Sequence, residues 1–526
     1  MGEYPGDAGG LDLPFDPIEV EVLWRRLIGV VDEAAATLIR TSFSTLVRES
    51  NDFSCVITDD RGESLVQSSA SIASFIGTLP ITVRHFLRAF PPENLEPGDI
   101  LITNDIWCGT GHLPDVNIAK PVFYRGRLIG FSASTAHLPD IGGKIRSPDA
   151  REVYEEGLQI PIMKMARGGV VDETLVSLIR CNVRVPDLVM GDIHAQVAAN
   201  DFAEVRLIDL LEEHGLTDLR ELTGEIQGRS EKVMHSALND IPDSVYESEV
   251  ETDGIEIPVV VRTRIEKEGE RILIDYEGSS SQVDAAINVA YNYTYAYSVY
   301  PVKCALCPEV PNNEGCFRPI TVRAPEGSIL NPIRPAAGGG RMLVGHYLTA
   351  AIFSALAPII PGRVAAPSGS PMWCVNYSGL DKHGNRTAGL FFHNGGTGAT
   401  EREDGHSCLS FPSNVSHTPV EILERISPFT FLEKSIVAGS GGEGRKSGGH
   451  GQRVLMQNDS AGGVAVSFMA ERTKNPAPGL FGGGPGACGR MSINGNAINP
   501  KKSTILAPGD FLELLTPGGG GYGKAP

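Results

Sequence analysis

The sequence predicts an α+β protein, a large mixed α/β body in which N-terminal helices frame a β-rich core crowded with glycine loops. Three observations carry that expectation. Helical periodicity recurs within the first 215 residues, polar and apolar residues alternate beyond residue 240, and glycine is dense from there on, in clusters with no fixed period. At 526 residues the chain exceeds what one hydrophobic core usually sustains, so two or three domains or one large intertwined body are expected, and the change of character along the chain divides it into three parts. These are a loose Gly/Pro-rich arm over 1–15, an N-terminal α/β region over 16–235, and a β-rich C-terminal region over 236–526.

The first element is a long helix. Asp16-Pro17 supplies an N-cap and a first-turn proline, and Glu19 sits at N3 to complete a capping box. Val20, Leu23, Leu27, Val30, Val31, Ala34, Ala35 and Leu38 follow at helical period, which carries the helix to about Phe43. FSCVITD (53–59) reads as a strand, and residues 71–90 as helical with an interruption at Pro80. GDILITND (98–105) returns to strand. Residues 186–215 are helical again, ending at Gly215, which can take the left-handed conformation. Beyond 240, YESEVETDGIEIPVVVRTRIEKEGERILIDYEG alternates between glycine turns as antiparallel hairpins do. The glycine clusters at 338–340, 394–400, 439–451, 479–489 and 516–523 read as tight turns needing positive φ.

Composition narrows the function. Hydrophobic residues at 41% and charged residues at 21% describe a folded chain rather than a disordered one. A net charge of −19 with no concentrated Lys/Arg surface argues against nucleic acid as a partner. No stretch approaches eighteen uninterrupted apolar residues, and the opening residues lack a basic segment followed by an apolar one, so no membrane span is expected and the expected location is the cytoplasm. Nine scattered cysteines suit reduced thiols. Cys304, Cys307 and Cys316 form their only cluster, which lacks a clear fourth zinc ligand and is assigned no role. GSGGEGRKS (439–447) misses the phosphate-loop spacing and has no strand-to-helix context, so no ATP site is expected in this chain.

The tetrapeptide His-Leu-Pro-Asp occurs twice, in GHLPDVN (111–117) and AHLPDIG (136–142). Between the copies, two apolar-rich runs join around Arg125-Gly126 as a hairpin with a two-residue turn. In that register Tyr124 opposes Arg127, Asp115 faces Ala136 and His137 faces Pro114. Opposed residues lie about 5 Å apart, so both tetrapeptides meet at the hairpin's open end. Two imidazoles and two carboxylates there suit a divalent metal; equally, they suit a hydrogen-bonded latch. Spacing alone leaves both open. Glu49 and Asp52 in RESNDFS (48–54) are acids in a loop, and Glu155-Glu156-Gly157 reads as a helix end with exposed acids.

RESNDFS, the two HLPD segments, EEGLQIP (155–161), VPNNEGCFRPI (310–320), NGGTGAT (394–400), ERTKNPAPGLFGGGPG (471–486) and TPGGGGYG (516–523) together resemble the hydantoinase B family. The likeness runs from about residue 16 to the C-terminus. That family includes the B-type subunits of ATP-dependent N-methylhydantoinases and lactamases, the matching part of 5-oxoprolinase, and the large subunits of acetone and acetophenone carboxylases. The resemblance implies an A-type partner that binds ATP and phosphorylates a substrate oxygen, while the B-type chain completes hydrolysis or carboxylation. It implies one divalent metal, manganese first with zinc or iron as alternatives, held by His112, Asp115 and His137. It marks Glu49 as a substrate ligand or base, and Asp140 as a group that orients a histidine or holds a water. It further implies a small cyclic amide substrate and a heterotetramer of two A-type and two B-type chains. A ketone carboxylase using bicarbonate, a non-catalytic scaffold and a free-standing metallohydrolase are the rival readings.

Overall fold

The computed structural model describes residues 15–525, so all of the expected arm except Phe15 lies outside the described residues. Helix α1 spans Pro17–Thr41, and the Asp16 carboxylate accepts the Ile18 N–H at 2.7 Å. Each of the eight apolar positions read from its period is buried, together with Trp24. The helix stops at Thr41, two residues short of Phe43, where Ser42 turns extended. Helix α2 is one turn, Thr45–Arg48. Helix α3 is Thr78–Ala89; Pro80 sits in its first turn, where a missing N–H costs nothing, so the proline starts this helix rather than interrupting a longer one. Helices α4 (Glu173–Asn182), α5 (Pro186–Glu213) and α6 (Arg220–Asn239) follow, and Gly215 after α5 has φ 64° as expected.

These helices cover one seven-stranded antiparallel sheet. Its strands are β1 (Phe53–Asp59), β2 (Ser64–Gln67), β3 (Ile100–Thr103), β4 (Asp115–Tyr124), β5 (Arg127–His137), β6 (Met163–Arg167) and β7 (Val170–Val171), in the order β2-β1-β5-β4-β3-β6-β7. The two-residue period divides the side chains. Phe53, Cys55 and Ile57 pack with α1 and α5, whereas Val56, Phe131 and Ala133 pack with Val83 and Phe86 of α3 on the other face.

The β4–β5 turn is the predicted two-residue loop, with Arg125 at φ 50° and Gly126 at φ 77°, and Tyr124 opposes Arg127. Two pairs further on, Ile129 is an extra residue, a bulge that moves the rest of the register by one. Asp115 therefore faces His137 rather than Ala136. Gly130, just past the bulge, lies so close to β1 that a Cβ there would meet the Thr58 carbonyl oxygen at 2.2 Å.

Beyond 240, strands β8 (Ser244–Glu251), β9 (Val260–Glu268) and β10 (Arg271–Asp275) form the expected antiparallel hairpins, and β11 (Ile320–Arg323) joins β10 in parallel. This region also holds helices, chiefly α7 (Tyr291–Leu306) and a helix over Tyr347–Leu356. Two further sheets complete it, of four and five strands; β12 (Trp373–Leu380) and β13 (Arg386–His393) belong to the first. The largest core cluster joins Leu46, Ile72 and Phe75 to residues of α7 and the strands after 240, so packing runs across position 235. The fold is thus a mixed α+β body. No helix of the described residues is long and apolar enough to cross a membrane.

The glycine loops differ from expectation. In 338–340 and 394–400 no glycine has positive φ, and in 439–451 and 516–523 only Gly439 and Gly523 do. Their reason is close approach: a Cβ on Gly396 would lie 1.8 Å from the Gly449 carbonyl oxygen, and one on Gly518 1.8 Å from that of Ser440. Strands of backbone pass one another where no side chain fits.

Candidate metal centre

The bulge brings the two tetrapeptides into contact. Asp115 opens β4, His137 closes β5 opposite it, and His112 comes from the turn just before β4. The Leu138 N–H donates to the Pro114 carbonyl at 2.9 Å, tying the strand ends together. Asp115 Oδ1 lies 2.5 Å from His112 Nε2 and 2.9 Å from His137 Nδ1, and the imidazole centroids are 4.9 Å apart. All three side chains are buried. One ligand atom from each falls within 4.8 Å of the others, the one such group among the described residues.

The other carboxylate oxygen is fixed from behind. Asp115 Oδ2 accepts from Thr110 Oγ1 and from Arg341 Nη2, both at 2.7 Å, and the Arg341 guanidinium lies 4.3 Å from the Tyr293 ring. Gly111, at φ 99°, allows this, since a Cβ there would press on Arg341 Cδ at 2.9 Å. Burial alone would raise the Asp115 carboxyl, but His112, Arg341 and hydrogen bonds from both imidazoles hold it well below the usual carboxylate range. Burial and the Arg341 charge, opposed by Asp115, push His112 well below the usual imidazole value. An ionised carboxylate beside a neutral imidazole is the protonation state a divalent cation requires, and two nitrogens with one oxygen suit manganese, zinc or iron.

A fourth group comes from the residue just before β1. The His137 N–H donates to the Asp52 carbonyl at 3.1 Å, and the Asp52 carboxylate stands 3.8 Å from His137 Nδ1. Burial, opposed by His137 and aided by Asp115, pushes Asp52 up to about 6.

The Hydantoinase B/oxoprolinase family model matches residues 16–525. The chain belongs to this family. It is 30% identical over 537 residues to the B-type chain of a putative D-/L-hydantoinase from Pseudomonas sp. (strain NS671), covering 97% of this chain and 90% of that one. It is also 30% identical to a 5-oxoprolinase of Dictyostelium discoideum, over 99% of this chain but only 41% of the longer relative. Among solved structures it resembles an ATP-dependent caprolactamase from Pseudomonas jessenii, with a TM-score of 0.90 at 27% identity, covering 97% of this chain and 91% of that one.

In this hydantoinase B chain, the sequence-named acids sit differently from the triad. Glu49 caps the end of α2, half-buried, and lines neither cavity at the centre. The acid that RESNDFS delivers is Asp52, because β1 pairs with β5 and carries position 52 to His137. Asp140 is ion-paired at 2.6 Å with Arg184, accepts that residue's N–H, and forms no hydrogen bond to either histidine.

Sequence reasoning missed Arg146 and Arg341, and it read Asp52 and Glu156 only as a loop acid and an exposed helix-end acid. Glu155 is paired with Lys144, but Glu156 turns inward and accepts N–H bonds from Gly338 (3.1 Å) and Gly339 (2.5 Å). Burial, partly offset by those two bonds, pushes it up to about 7. The pairing of EEG with GGG, almost two hundred residues apart, leaves no local signal. Cys304, Cys307 and Cys316 are free thiols outside any metal-sized group. The 439–451 loop runs into a strand at Gln452 rather than a helix, as the rejected phosphate-loop reading requires.

Two cavities reach the triad. The inner one is lined by all three residues with Asp52, Tyr297, Arg341 and His346. The outer cleft is walled by Leu138, Ile141, Tyr377 and Leu390, and His137 and Arg146 belong to both.

Proposed function

We propose that this chain is the B-type half of an ATP-dependent cyclic amide hydrolase, completing the opening of a hydantoin, 5-oxoproline or lactam ring after an A-type partner has phosphorylated the amide oxygen. The observation that carries the reading is the convergence of His112, Asp115 and His137 at one strand end, open to a cleft, in a chain so similar to a B-type hydantoinase chain and a caprolactamase. The same reading assigns ATP to the partner and makes the assembly a cytoplasmic heterotetramer of two A-type and two B-type chains.

An amide resists water because its nitrogen donates into the carbonyl. Phosphorylating the oxygen removes that resonance, so water can add to the carbon; the ring C–N bond then breaks as its nitrogen takes a proton, and the acyl phosphate left behind is hydrolysed by a second water to carboxylate and phosphate. His112, Asp115 and His137 would hold a divalent metal, manganese first and zinc or iron as alternatives, which would supply Lewis acidity and lower the pKa of a water towards about 7. The chain's own residues do the rest. Asp115 stays ionised between the imidazoles, and Arg341 and Thr110 keep it from rotating. Asp52, pushed up to about 6, takes a proton near neutrality, the role that the family resemblance suggests for Glu49. Asp140, fixed by Arg184, shapes the wall of the outer cleft.

Elemental analysis of the purified chain tests the centre. Near-stoichiometric metal is expected in the wild type and is lost in the His112→Ala/His137→Ala variant; a folded wild type that neither contains nor takes up metal would leave only a structural latch. With the A-type partner and ATP, ring opening is then expected on hydantoins, 5-oxoproline or lactams. Labelled bicarbonate entering a ketone instead would sink the hydrolase reading.

A further inference from the structure

We propose that Arg146 and Arg341 form an oxyanion subsite beside the triad, which receives the phosphoryl group of the activated substrate. This deepens the function proposed above and rests on it for the substrate's identity, but not for the existence of the subsite.

Arg146 stands where the two cavities meet. Its Nε donates to the Gly339 carbonyl at 2.8 Å and its Nη2 approaches Met342 Sδ at 3.9 Å, but Nη1 is shielded from solvent and has no hydrogen-bond partner. Among the described residues no carboxylate forms an ion pair with it. Arg341, buried in the inner cavity, spends Nη2 on Asp115 and leaves its own Nε buried and unpartnered. A shielded guanidinium with an unmet N–H is costly, and in a chain of net charge −19 carboxylates to pair it are plentiful elsewhere. Its isolation here points to an anion that arrives and leaves.

The outer cleft defines the rest of that ligand. Its walls at Leu138, Ile141, Tyr377 and Leu390 are largely apolar, its charges at Asp140 and Lys144 are already paired with Arg184 and Glu155, and its remaining acid, Glu156, is engaged by the Gly338 and Gly339 N–H groups. A ligand lying there has an uncharged body and one anionic end, directed inward to Arg146. Guanidinium forks match both phosphate and carboxylate. Two sources therefore share this chemistry: a phosphoryl group placed on the ring oxygen, and a carboxylate the substrate itself carries. Proximity to the triad favours the first, because the phosphorylated oxygen is bonded to the carbon that water attacks.

Calorimetric titration of the full chain with orthophosphate, and separately with acetate, tests this, in the purified form and again after dialysis against EDTA. Wild type is expected to bind orthophosphate, Arg146→Gln at least about tenfold more weakly, and Arg146→Lys in between, with the difference surviving EDTA. Should Arg146→Gln fail to fold, Arg146→Lys carries the comparison, since it keeps the charge and loses the fork. Acetate bound more tightly than orthophosphate in an Arg146-dependent way would overturn the phosphoryl assignment in favour of a substrate carboxylate. Unchanged orthophosphate affinity in a folded variant of normal metal content would overturn the subsite and leave the hydrolase reading standing. Arginine-dependent binding in a chain that never holds metal would do the reverse.

Discussion

Asp115 is asked for two things at once. Oδ1 must stay free towards two imidazoles while Oδ2 is pinned by Thr110 and Arg341, and this division keeps the carboxylate ionised in a buried site. Glu156 meets the opposite balance: two backbone N–H bonds do not offset burial, and its carboxyl is pushed up to about 7. A folded-state value above the unfolded one means that the native state holds the proton more tightly. Its contribution to stability is therefore complete below about 4.5 and lost as pH rises through about 7. The melting temperature of wild type relative to Glu156→Gln should fall between pH 4.5 and 7 and level off above; a constant difference would show a carboxylate already charged at low pH. The two acids of RESNDFS could not be ranked from sequence. Glu49 and Asp52 sit three residues apart in one loop, and only the β1–β5 pairing decides which of them reaches His137.

Elements were legible where one period governs them. The buried stripe of α1 follows from sequence because a single face of a single helix meets the core, and the type of the β4–β5 turn follows from Arg-Gly. The bulge at Ile129 was not legible, since it answers to β1 across the sheet, where Gly130 must admit the Thr58 carbonyl. That contact yields a prediction for the hairpin. Gly130→Ala places a Cβ 2.2 Å from backbone, so β5 and β1 must separate, at a cost of about 1–3 kcal/mol. Because β5 delivers His137 and β1 delivers Asp52, the same variant should lose metal content. Denaturant unfolding and elemental analysis check the two effects together; full metal retention in a destabilised variant would mean the site is held by the turn at 110–115 alone.

At the scale of the whole molecule, the C-terminal segment after 515 binds distant loops to one another through backbone alone. Gly519 donates to Gly449 and accepts from Gly442, Gly520 donates to Pro367 and accepts from Ala399, and Tyr522 exchanges two hydrogen bonds with Lys446. Sequence displays these glycines plainly but not their purpose, because a turn needing positive φ and a backbone needing room both select glycine. Substitution separates the two causes. Gly509 has φ 85° with nothing within 4 Å of where a Cβ would stand, so Gly509→Ala carries only the left-handed penalty, about 1–2 kcal/mol. Gly518 has an ordinary φ, but its Cβ would lie 1.8 Å from the Ser440 carbonyl oxygen, so Gly518→Ala must force two backbones apart, at about 3 kcal/mol or more. Limited proteolysis should then cut Gly518→Ala within 394–405 or 439–451, the loops that lose their partner, while Gly509→Ala keeps the wild-type pattern. Equal stabilities and equal digestion patterns would mean that the loops yield independently, and that the C-terminal segment closes the fold without holding it.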